Sequence, residues 1–397
     1  NGIENTQRQQ RSTGQWQWPC ACATLYAAAL PFPAKDPEPS AEQPHVFPCV
    51  LLCTQGWTRG QDTGEDQGIL GVMPALSLGR VRALRLISQL LAPSAALNFK
   101  SERNAVDVAK HMLASQAQQR GSALVALDTR SENADAATAL GKSLLIRSWT
   151  QRGTHQILAA EDVRWMTLLC SPRILAASAK RRSSLSLDSA AVQRARDALT
   201  TAAEKSPVSR TQAYEIFRSV DVDPGEHRGQ HFLRHFGGEG DIVQGPPIGT
   251  EDSFVLLDSI CPLSLALSGD EALTEMTRRY FHSRGAATVK DLVWWTGLTV
   301  RDVKKGIAAV SADGLIHSVE GPNGEEMWMP TWADDVTDAE VSDALALELT
   351  LPAFDEYLLS YTDRSHVMDP EHLFSIGPGK NGVFKPFKVI QGEALPV

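Results

Sequence analysis

The sequence of 397 residues lacks the features that mark a membrane or secreted protein. No apolar run approaches the roughly 18 residues of a transmembrane helix, so no membrane span is predicted. The segment from Asn1 to Glu4 does not open a basic stretch followed by an apolar one, so no secretory signal is predicted. The length allows two to four compact units.

Cysteine is scarce in most of the chain. Beyond residue 53 there are only Cys170 and Cys261, and two scattered thiols fit a reducing compartment better than a disulfide framework. The other four lie near the start, at Cys20, Cys22, Cys49 and Cys53. Their spacing matches no zinc module, so we predict that these cysteines bind no metal.

An excess of positive charge is also missing overall, since the net charge is −9. The charge is unevenly distributed, however. Residues 76–182 carry 16 basic and 7 acidic side chains, whereas residues 183–397 carry 18 and 33. Because local fields determine polyanion binding, a phosphate-bearing partner is expected at residues 76–182. The alternative is a solvated basic face without a partner.

Residues 1–72 lack regular patterning. They are rich in Gln, Pro, Gly and Thr, and Met73 is the first methionine of the chain. We interpret this stretch as an extension upstream of the biological start or as a disordered tail, and predict no fold for residues 1–75.

After Met73 a pattern of helices followed by a β-hairpin occurs three times. In the first copy the predicted helices are 82–91, one from Asn104, 122–129 and 134–142, and the hairpin strands are 144–149 and 154–158. In the second they are 188–203, one from Pro207 and 228–236, with strands 241–244 and 253–256. In the third they are 271–283, 288–296 and 299–310, with strands 315–319 and 326–329. This order predicts an α+β, mainly α, fold of three tandem winged-helix modules at 76–178, 185–262 and 263–333.

The last segment, residues 340–397, differs from these modules. Prolines punctuate short β-like runs, as at Pro352, Pro370, Pro378 and Pro386. The segment is predicted to be a partial β domain with a marginal, unpaired edge, in which the strand 387–390 lacks an evident partner.

Four stretches carry a family resemblance: 111–118, 147–154, 287–298 and 351–361. Through them, residues 76–397 resemble the winged-helix DNA-crosslink-repair glycosylases of the AlkZ type. The resemblance implies a cradle of three winged helices for double-stranded DNA, followed by a β-barrel that is truncated here. We expect a monomer in the cytoplasm, associated with the nucleoid, with no membrane partner.

Gln116 and Gln118 match the catalytic glutamine–hydrophobe–glutamine motif of that family. On a helix, side chains two residues apart are rotated by about 200°, so both could not serve one site. On an extended segment they point the same way. Gly121 downstream favours a helix that ends near Leu113. The alternative is that both glutamines are polar caps or surface residues.

The chemistry of an amide restricts the substrate. An amide does not ionise near neutral pH, but its carbonyl can orient a water and stabilise an oxocarbenium-like sugar. That help suffices when the leaving base already carries positive charge, as N7- or N3-alkylated purines do. We therefore predict hydrolysis of cationic alkylated or crosslinked purines, with no cofactor and no metal. Two alternatives are a non-catalytic DNA-binding regulator and a protein–protein scaffold.

The candidate DNA-binding residues surround the first hairpin. By the resemblance, Arg147 and Arg152 are expected to clamp phosphate, for which the planar guanidinium is suited. Further DNA-binding candidates are Thr154, His155 and Arg120, together with Lys304 and Lys305 of the third module. Family members commonly have His two residues beyond the Thr, where Gln156 stands here, and this puts a role of His155 in lesion binding in doubt.

Two other groups have alternative interpretations. Of Trp294 and Trp295, we expect one in the core and one at the surface, although both could be thought to stack on bases. Residues 355–357 and Tyr361 match a family motif. Asp355 and Glu356 could activate a water, but we favour a structural brace between the third module and the β domain.

Overall fold

The computed structural model describes residues 75–97, 102–261, 264–379 and 382–397. The interpretation of residues 1–72 and the metal prediction at the four early cysteines lie outside these residues. Helices and small antiparallel sheets alternate, so the α+β prediction is confirmed. No helix in the described part of the chain is long and apolar enough to cross a membrane.

The first helices bring the chain to a short edge strand. They are α1 (Leu78–Ser88), α2 (Ala105–Met112), α3 (Arg120–Asp128) and α4 (Ala136–Gly141). The N-cap expected at Asn104 is confirmed, because its Oδ1 accepts hydrogen bonds from the backbone N atoms of Val106 and Asp107. Helix α2 ends at Met112 because Leu113 has a φ of 63°. The chain then extends into β1 (Ser115–Gln116).

The first two hairpins join in one sheet. Strands β2 (Leu145–Trp149) and β3 (His155–Ala159) precede α5 (Val163–Cys170), α6 (Pro172–Ala179) and α7 (Ser189–Ala203). Then come β4 (Val208–Ser209), α8 (Arg210–Ser219), α9 (Arg228–Glu239), β5 (Ile242–Ile248), β6 (Glu251–Leu256) and α10 (Leu257–Ile260). The strand order is β1-β3-β2-β5-β6-β4, and Arg147 of β2 pairs with Gln244 of β5. The hairpins therefore support each other, which the sequence pattern did not indicate.

One predicted helix start was wrong. The helix placed from Pro207 begins at Arg210, because Val208 and Ser209 pair with β6 instead. The Ser209 side chain then accepts a hydrogen bond from the backbone N of Gln212 and caps α8.

In the third repeat of the pattern, the helices and strands follow the predicted order. This repeat contains α11 (Gly269–Arg284), α12 (Val289–Thr296) and α13 (Val300–Ala312), followed by β7 (Ile316–Glu320), β8 (Glu326–Pro330) and α14 (Asp338–Ala346). Thr288 and Thr299 cap α12 and α13 by accepting hydrogen bonds from backbone N atoms of the first turn. Trp295 of α12 is fully buried and Trp294 is 42% exposed, so the prediction of one core and one surface tryptophan is confirmed.

The prediction of an unpartnered strand at 387–390 was wrong. After β9 (Glu348–Leu351) and α15 (Glu356–Leu359), strand β10 (Phe387–Ile390) pairs with β9 on one side and β11 (Glu393–Pro396) on the other. The pairing with β11 is a local hairpin across Gln391 and Gly392, whereas β9 lies about 40 residues before β10 in the chain. Val81 and Leu84 of α1 belong to the same hydrophobic cluster as Val389 of β10, and Arg82 of α1 pairs with Glu393 of β11 at 3.1 Å. The ion pair ties this sheet to the first helix of the fold.

Candidate active site

Gln116 and Gln118 lie on the extended segment that the sequence analysis expected after α2. Gln116 belongs to β1 and pairs with Gln156 of β3. The backbone N of Ala117 donates to the carbonyl of His155 at 2.8 Å, which continues the pairing beyond β1. Ala117 is fully buried between the two glutamines. The segment therefore holds both amides against β3 instead of rotating them apart on a helix.

The carbonyl of the Gln116 side chain is surrounded by donors. Its Oε1 accepts from Nη2 of Arg152 at 2.9 Å, from Nε2 of Gln156 at 2.7 Å and from the hydroxyl of Thr154 at 3.3 Å. Since a guanidinium only donates, the Arg152 contact determines which end of the amide is oxygen. Nε2 of Gln116 donates to no other described residue. Gln116 therefore presents an N–H group as its available polar group.

Gln118 is placed differently. Its side chain is exposed, and its Oε1 accepts one long hydrogen bond of 3.3 Å from the backbone N of His155. An amide oxygen has two lone pairs, so this carbonyl can still accept a hydrogen bond from water. The two glutamines thus offer complementary groups, a donor from Gln116 and an acceptor from Gln118.

The sheet separates the other candidates by face. Gln116, Gln156 and Ser148 are paired across three strands and share one face. Because side chains alternate along a strand, Arg147 and His155 lie on the opposite face. The sequence had grouped Arg147 with Arg152 as one clamp, whereas Arg152 donates to the side chain of Gln116 and Arg147 donates to that of Gln244.

Arg152 links the side chain of Gln116 to helix α12. It lies in the turn between β2 and β3 with a φ of 55°, and Nη1 donates to the carbonyl of Trp295 at 2.8 Å. Its guanidinium carbon is 5.4 Å from the ring centre of the exposed Trp294. Burial lowers the pKa of Arg152, while the nearby Glu356 raises it. Arg152 thus positions Gln116 beside an exposed indole.

Arg147 is a buried support of the segment that carries the glutamines. Nε donates to the carbonyl of Ala117 at 2.9 Å and Nη1 donates to Oε1 of Gln244 at 2.5 Å. The side chain is 8% exposed, and Nη1 is 3.5 Å from Asp252. Burial lowers the pKa of Arg147 to about 10. These contacts hold backbone and neighbouring side chains, so the phosphate-clamp assignment of Arg147 does not fit its position.

His155 packs beside Arg147 and away from Gln116. Its ring centre is 4.5 Å from that of Trp149, and its Nε2 is 3.1 Å from Nε2 of Gln244. Burial lowers the pKa of His155 well below its usual value, and the positive charges of Arg147 and Arg210 lower it further. The ring is therefore neutral near pH 7.

Glu356 braces the glutamine segment from the far end of the chain. Its Oε1 accepts from the backbone N of Gln116 at 2.9 Å, and its Oε2 accepts from Nε1 of Trp295 at 3.0 Å. Arg284 donates to the same carboxylate and to the carbonyls of Met112 and Ala114. With both oxygens of a buried carboxylate occupied, the structure supports the brace and not water activation.

The remaining candidates lie apart from the two amides. Arg120 contacts Asp252 at 3.4 Å, on the Arg147 side of the sheet. Lys304 and Lys305 are exposed on α13, and Lys305 pairs with Asp270 at 2.7 Å. Among the described residues no hydrogen bond or ion pair joins either lysine to Gln116, Gln118 or Arg152. In the same part of the chain, no group of three His, Cys, Asp or Glu residues could hold a metal.

Sequence reasoning had not assigned Gln156 or Arg284 to the site. Gln156 was noted only as a departure from the family pattern, yet its amide holds the Gln116 carbonyl. Its position two residues after Thr154 in a predicted strand could have indicated a shared face. No local signal indicates Arg284, which is more than 160 residues from Gln116 in the sequence.

Comparison with known proteins identifies the family of this chain. The family described as DNA glycosylase AlkZ-like matches residues 109–395. The solved structure of Streptomyces sahachiroi DNA glycosylase AlkZ is similar in fold, with a TM-score of 0.63 and 19% identity over 81% of this chain and 87% of that one. No curated protein sequence matches the chain. Because the family match spans most of the chain, including both glutamines and the Glu356 brace, the protein belongs to the AlkZ-like DNA glycosylase family.

Proposed function

We propose that this protein hydrolyses the N-glycosidic bond of cationic alkylated or crosslinked purines in double-stranded DNA. The observation that carries the proposal is the pair of amides on one extended segment, with Gln116 fastened by three donors and Gln118 open to solvent. Fixed polar groups aimed at a reacting centre need no rearrangement during the reaction, and this is how an uncharged group can accelerate a hydrolysis.

The two glutamines take different roles in this proposal. Gln118 orients the attacking water through its carbonyl oxygen, which makes only one long hydrogen bond. Gln116 donates from Nε2 to an oxygen of the substrate while Arg152 and Gln156 hold its carbonyl. Neither amide removes a proton, so the leaving base must already carry positive charge, as alkylated purines do. The C–N bond breaks with its electron pair leaving on the base, which departs as a neutral purine, and the water that bonds to the cationic sugar then loses its proton to solvent.

The repeated order of helices and hairpin supports three winged-helix modules, at 76–178, 185–262 and 263–333, and the sheet at 348–396 supports a β-barrel-like domain. In this proposal the modules form the DNA cradle. Arg152 and Thr154 lie beside Gln116, and Arg120 and His155 contact the DNA from the Arg147 side of the sheet. Lys304 and Lys305 contribute contacts to the DNA backbone. We further propose a monomer that acts on chromosomal DNA in the cytoplasm.

The test is release of modified purine from duplex DNA containing N7-alkylguanine. Wild type should release the base, and Gln118→Ala and Gln116→Ala should each slow release by about 10²-fold, as the loss of one stabilising group does at comparable sites. Gln193→Ala serves as the control, because Gln193 is an exposed helical glutamine whose side chain, within the described part of the chain, bonds to Asp197 alone. Equal purine release by wild type and by the variant that carries both Gln116→Ala and Gln118→Ala would refute these roles.

The second candidate function is a non-catalytic DNA-binding regulator. The observation that favours it is the burial of Gln116, which is 5% exposed and has its carbonyl fully occupied, as in a structural amide. A regulator would bind DNA but release no purine from N7-alkylguanine or from a panel of bulkier cationic adducts. Release from any of these substrates that depends on Gln118 would exclude this candidate.

A further inference from the structure

A cluster of four charged side chains joins the first two hairpins. Asp252 of β6 is approached by Arg120 at 3.4 Å, by Arg147 at 3.5 Å and by Arg210 at 3.5 Å. Arg120 is the first residue of α3, Arg147 lies on β2, and Arg210 is the first residue of α8. We call these four residues the Asp252 cluster.

The contacts in the Asp252 cluster are long. Charge-assisted N–H···O bonds are usually about 2.7–2.9 Å. The same molecule contains such a pair, because Arg130 donates to both oxygens of Asp355 at 2.8 and 2.9 Å. Asp252 is instead shared among three guanidinium groups, and it makes a short bond with none of them. The single carboxylate leaves the donors of these arginines incompletely satisfied.

Positive charge is in excess at this place. Three guanidinium groups face one carboxylate, and the adjacent Glu251 is engaged with the backbone N and hydroxyl of Thr211. The side chains of Arg120 and Arg210 are 35% and 36% exposed, so they can reach a ligand from solvent. Arg147 and Arg210 also contribute to the lowered pKa of His155, after the larger effect of burial.

The Asp252 cluster is connected to the candidate catalytic segment. Nε2 of Gln244 donates to Asp252 at 3.4 Å and lies 3.1 Å from Nε2 of His155. The backbone N of His155 donates to Gln118, and Arg120 follows Gln118 by two residues. An anion bound at the Asp252 cluster would therefore lie beside the residue proposed to orient the water.

We propose that the Asp252 cluster binds a phosphodiester of the DNA backbone and that Asp252 occupies the same donors when DNA is absent. Arg120 and Arg210 take the phosphate oxygens, while Arg147 remains bonded to the Ala117 carbonyl. Asp252 keeps the two exposed guanidinium groups in position and competes with the phosphate for them. The inference rests on the proposed function only in taking DNA as the ligand.

The experiment measures binding of a short undamaged duplex by fluorescence anisotropy over a range of salt concentrations. Each lost phosphate contact lowers the slope of log affinity against log salt by about one, so Arg120→Gln and Arg210→Gln should each show this loss. Asp252→Asn should bind about fivefold more tightly at low salt, the size expected for release from one exposed ion pair.

Two controls match these changes in charge. Arg194→Gln removes an exposed arginine of α7, and Asp343→Asn removes an exposed carboxylate of α14. The inference is overturned if Asp252→Asn binds no more tightly than Asp343→Asn, or if Arg120→Gln and Arg210→Gln keep the slope of Arg194→Gln. If Asp252→Asn does not fold, as judged by its thermal midpoint, the salt slopes of Arg120→Gln and Arg210→Gln alone test the inference.

The result is independent of the reaction, because undamaged DNA is the probe. Purine release by wild type together with unchanged slopes would overturn the phosphate site alone. Changed slopes without any purine release would overturn the glycosylase proposal alone.

Discussion

Replacing Glu356 by glutamine tests whether the far end of the chain holds the catalytic segment. The substitution keeps the shape and turns one carboxylate oxygen into an NH2 group. Oε2 accepts from Trp295, Ser360 and Arg284, whereas Oε1, among the residues that the structure describes, accepts from the backbone N of Gln116 alone. The new amide therefore keeps its oxygen toward the three donors. Its NH2 then faces the N–H of Gln116, donor against donor.

The expected loss of unfolding free energy in Glu356→Gln has two parts. A buried backbone N–H without a partner costs about 1–3 kcal/mol. Removing one charge of a buried ion pair costs about 3–5 kcal/mol. Arg284 keeps its hydrogen bonds to Met112, Ala114 and Ser360, which offset part of the second cost. The two parts overlap in one carboxylate, so we expect Glu356→Gln to lower the free energy of unfolding by about 3–5 kcal/mol.

Urea unfolding measures the total loss of unfolding free energy. Hydrogen exchange at the backbone N–H of Gln116 measures the local effect. The exposed Glu371 serves as control, and Glu371→Gln should stay within about 0.5 kcal/mol of wild type. The reasoning is refuted if Glu356→Gln loses less than about 1 kcal/mol and the Gln116 amide keeps its protection, because both costs would then be absent.

Three further outcomes follow from buried groups. Asp355→Ala leaves the guanidinium of Arg130 without its carboxylate and should lower the free energy of unfolding in urea by about 3–5 kcal/mol; a loss below about 1 kcal/mol would contradict this. Gln156→Met removes a donor to Gln116 and should slow purine release about tenfold at unchanged DNA affinity, and unchanged release would contradict a positioning role. Burial lowers the pKa of His111 to about 3, so the unfolded chain binds more protons below about pH 6.5. The urea midpoint should therefore fall from about pH 7 to about pH 5, and fall less in His111→Gln; an equal fall in both would contradict this.

The sequence predicted the local elements well wherever short-range chemistry specifies them. The cap at Asn104 depends on neighbours within three residues, and the end of α2 at Met112 and the helical spacing of Trp294 and Trp295 are likewise local. The strand at 387–390 was placed correctly, but its partners were not. Its pairing with β9 joins residues about 40 apart, and neither strand specifies the other through its own pattern.

Arginine roles were the least predictable part of the site. Arg147 and Arg152 are five residues apart around one hairpin, and the sequence treated them alike. Strand alternation sends Arg147 to the face where β5 supplies Gln244, so it becomes a buried support. The positive φ at Arg152 lets it reach Gln116 and the end of α12. The sequence indicated that these residues are positively charged, but not which groups their side chains would contact.

By itself the sequence determined the helices, the hairpins and the two glutamines side by side on extended backbone, because periodicity, capping and turn chemistry act over a few residues. Only the tertiary structure decided that β2 pairs with β5, that Glu356 holds the backbone of Gln116 and that three arginines converge on Asp252. Each of these contacts joins residues that are far apart in the chain. Their partners are selected by the packing of whole elements, which no local pattern encodes.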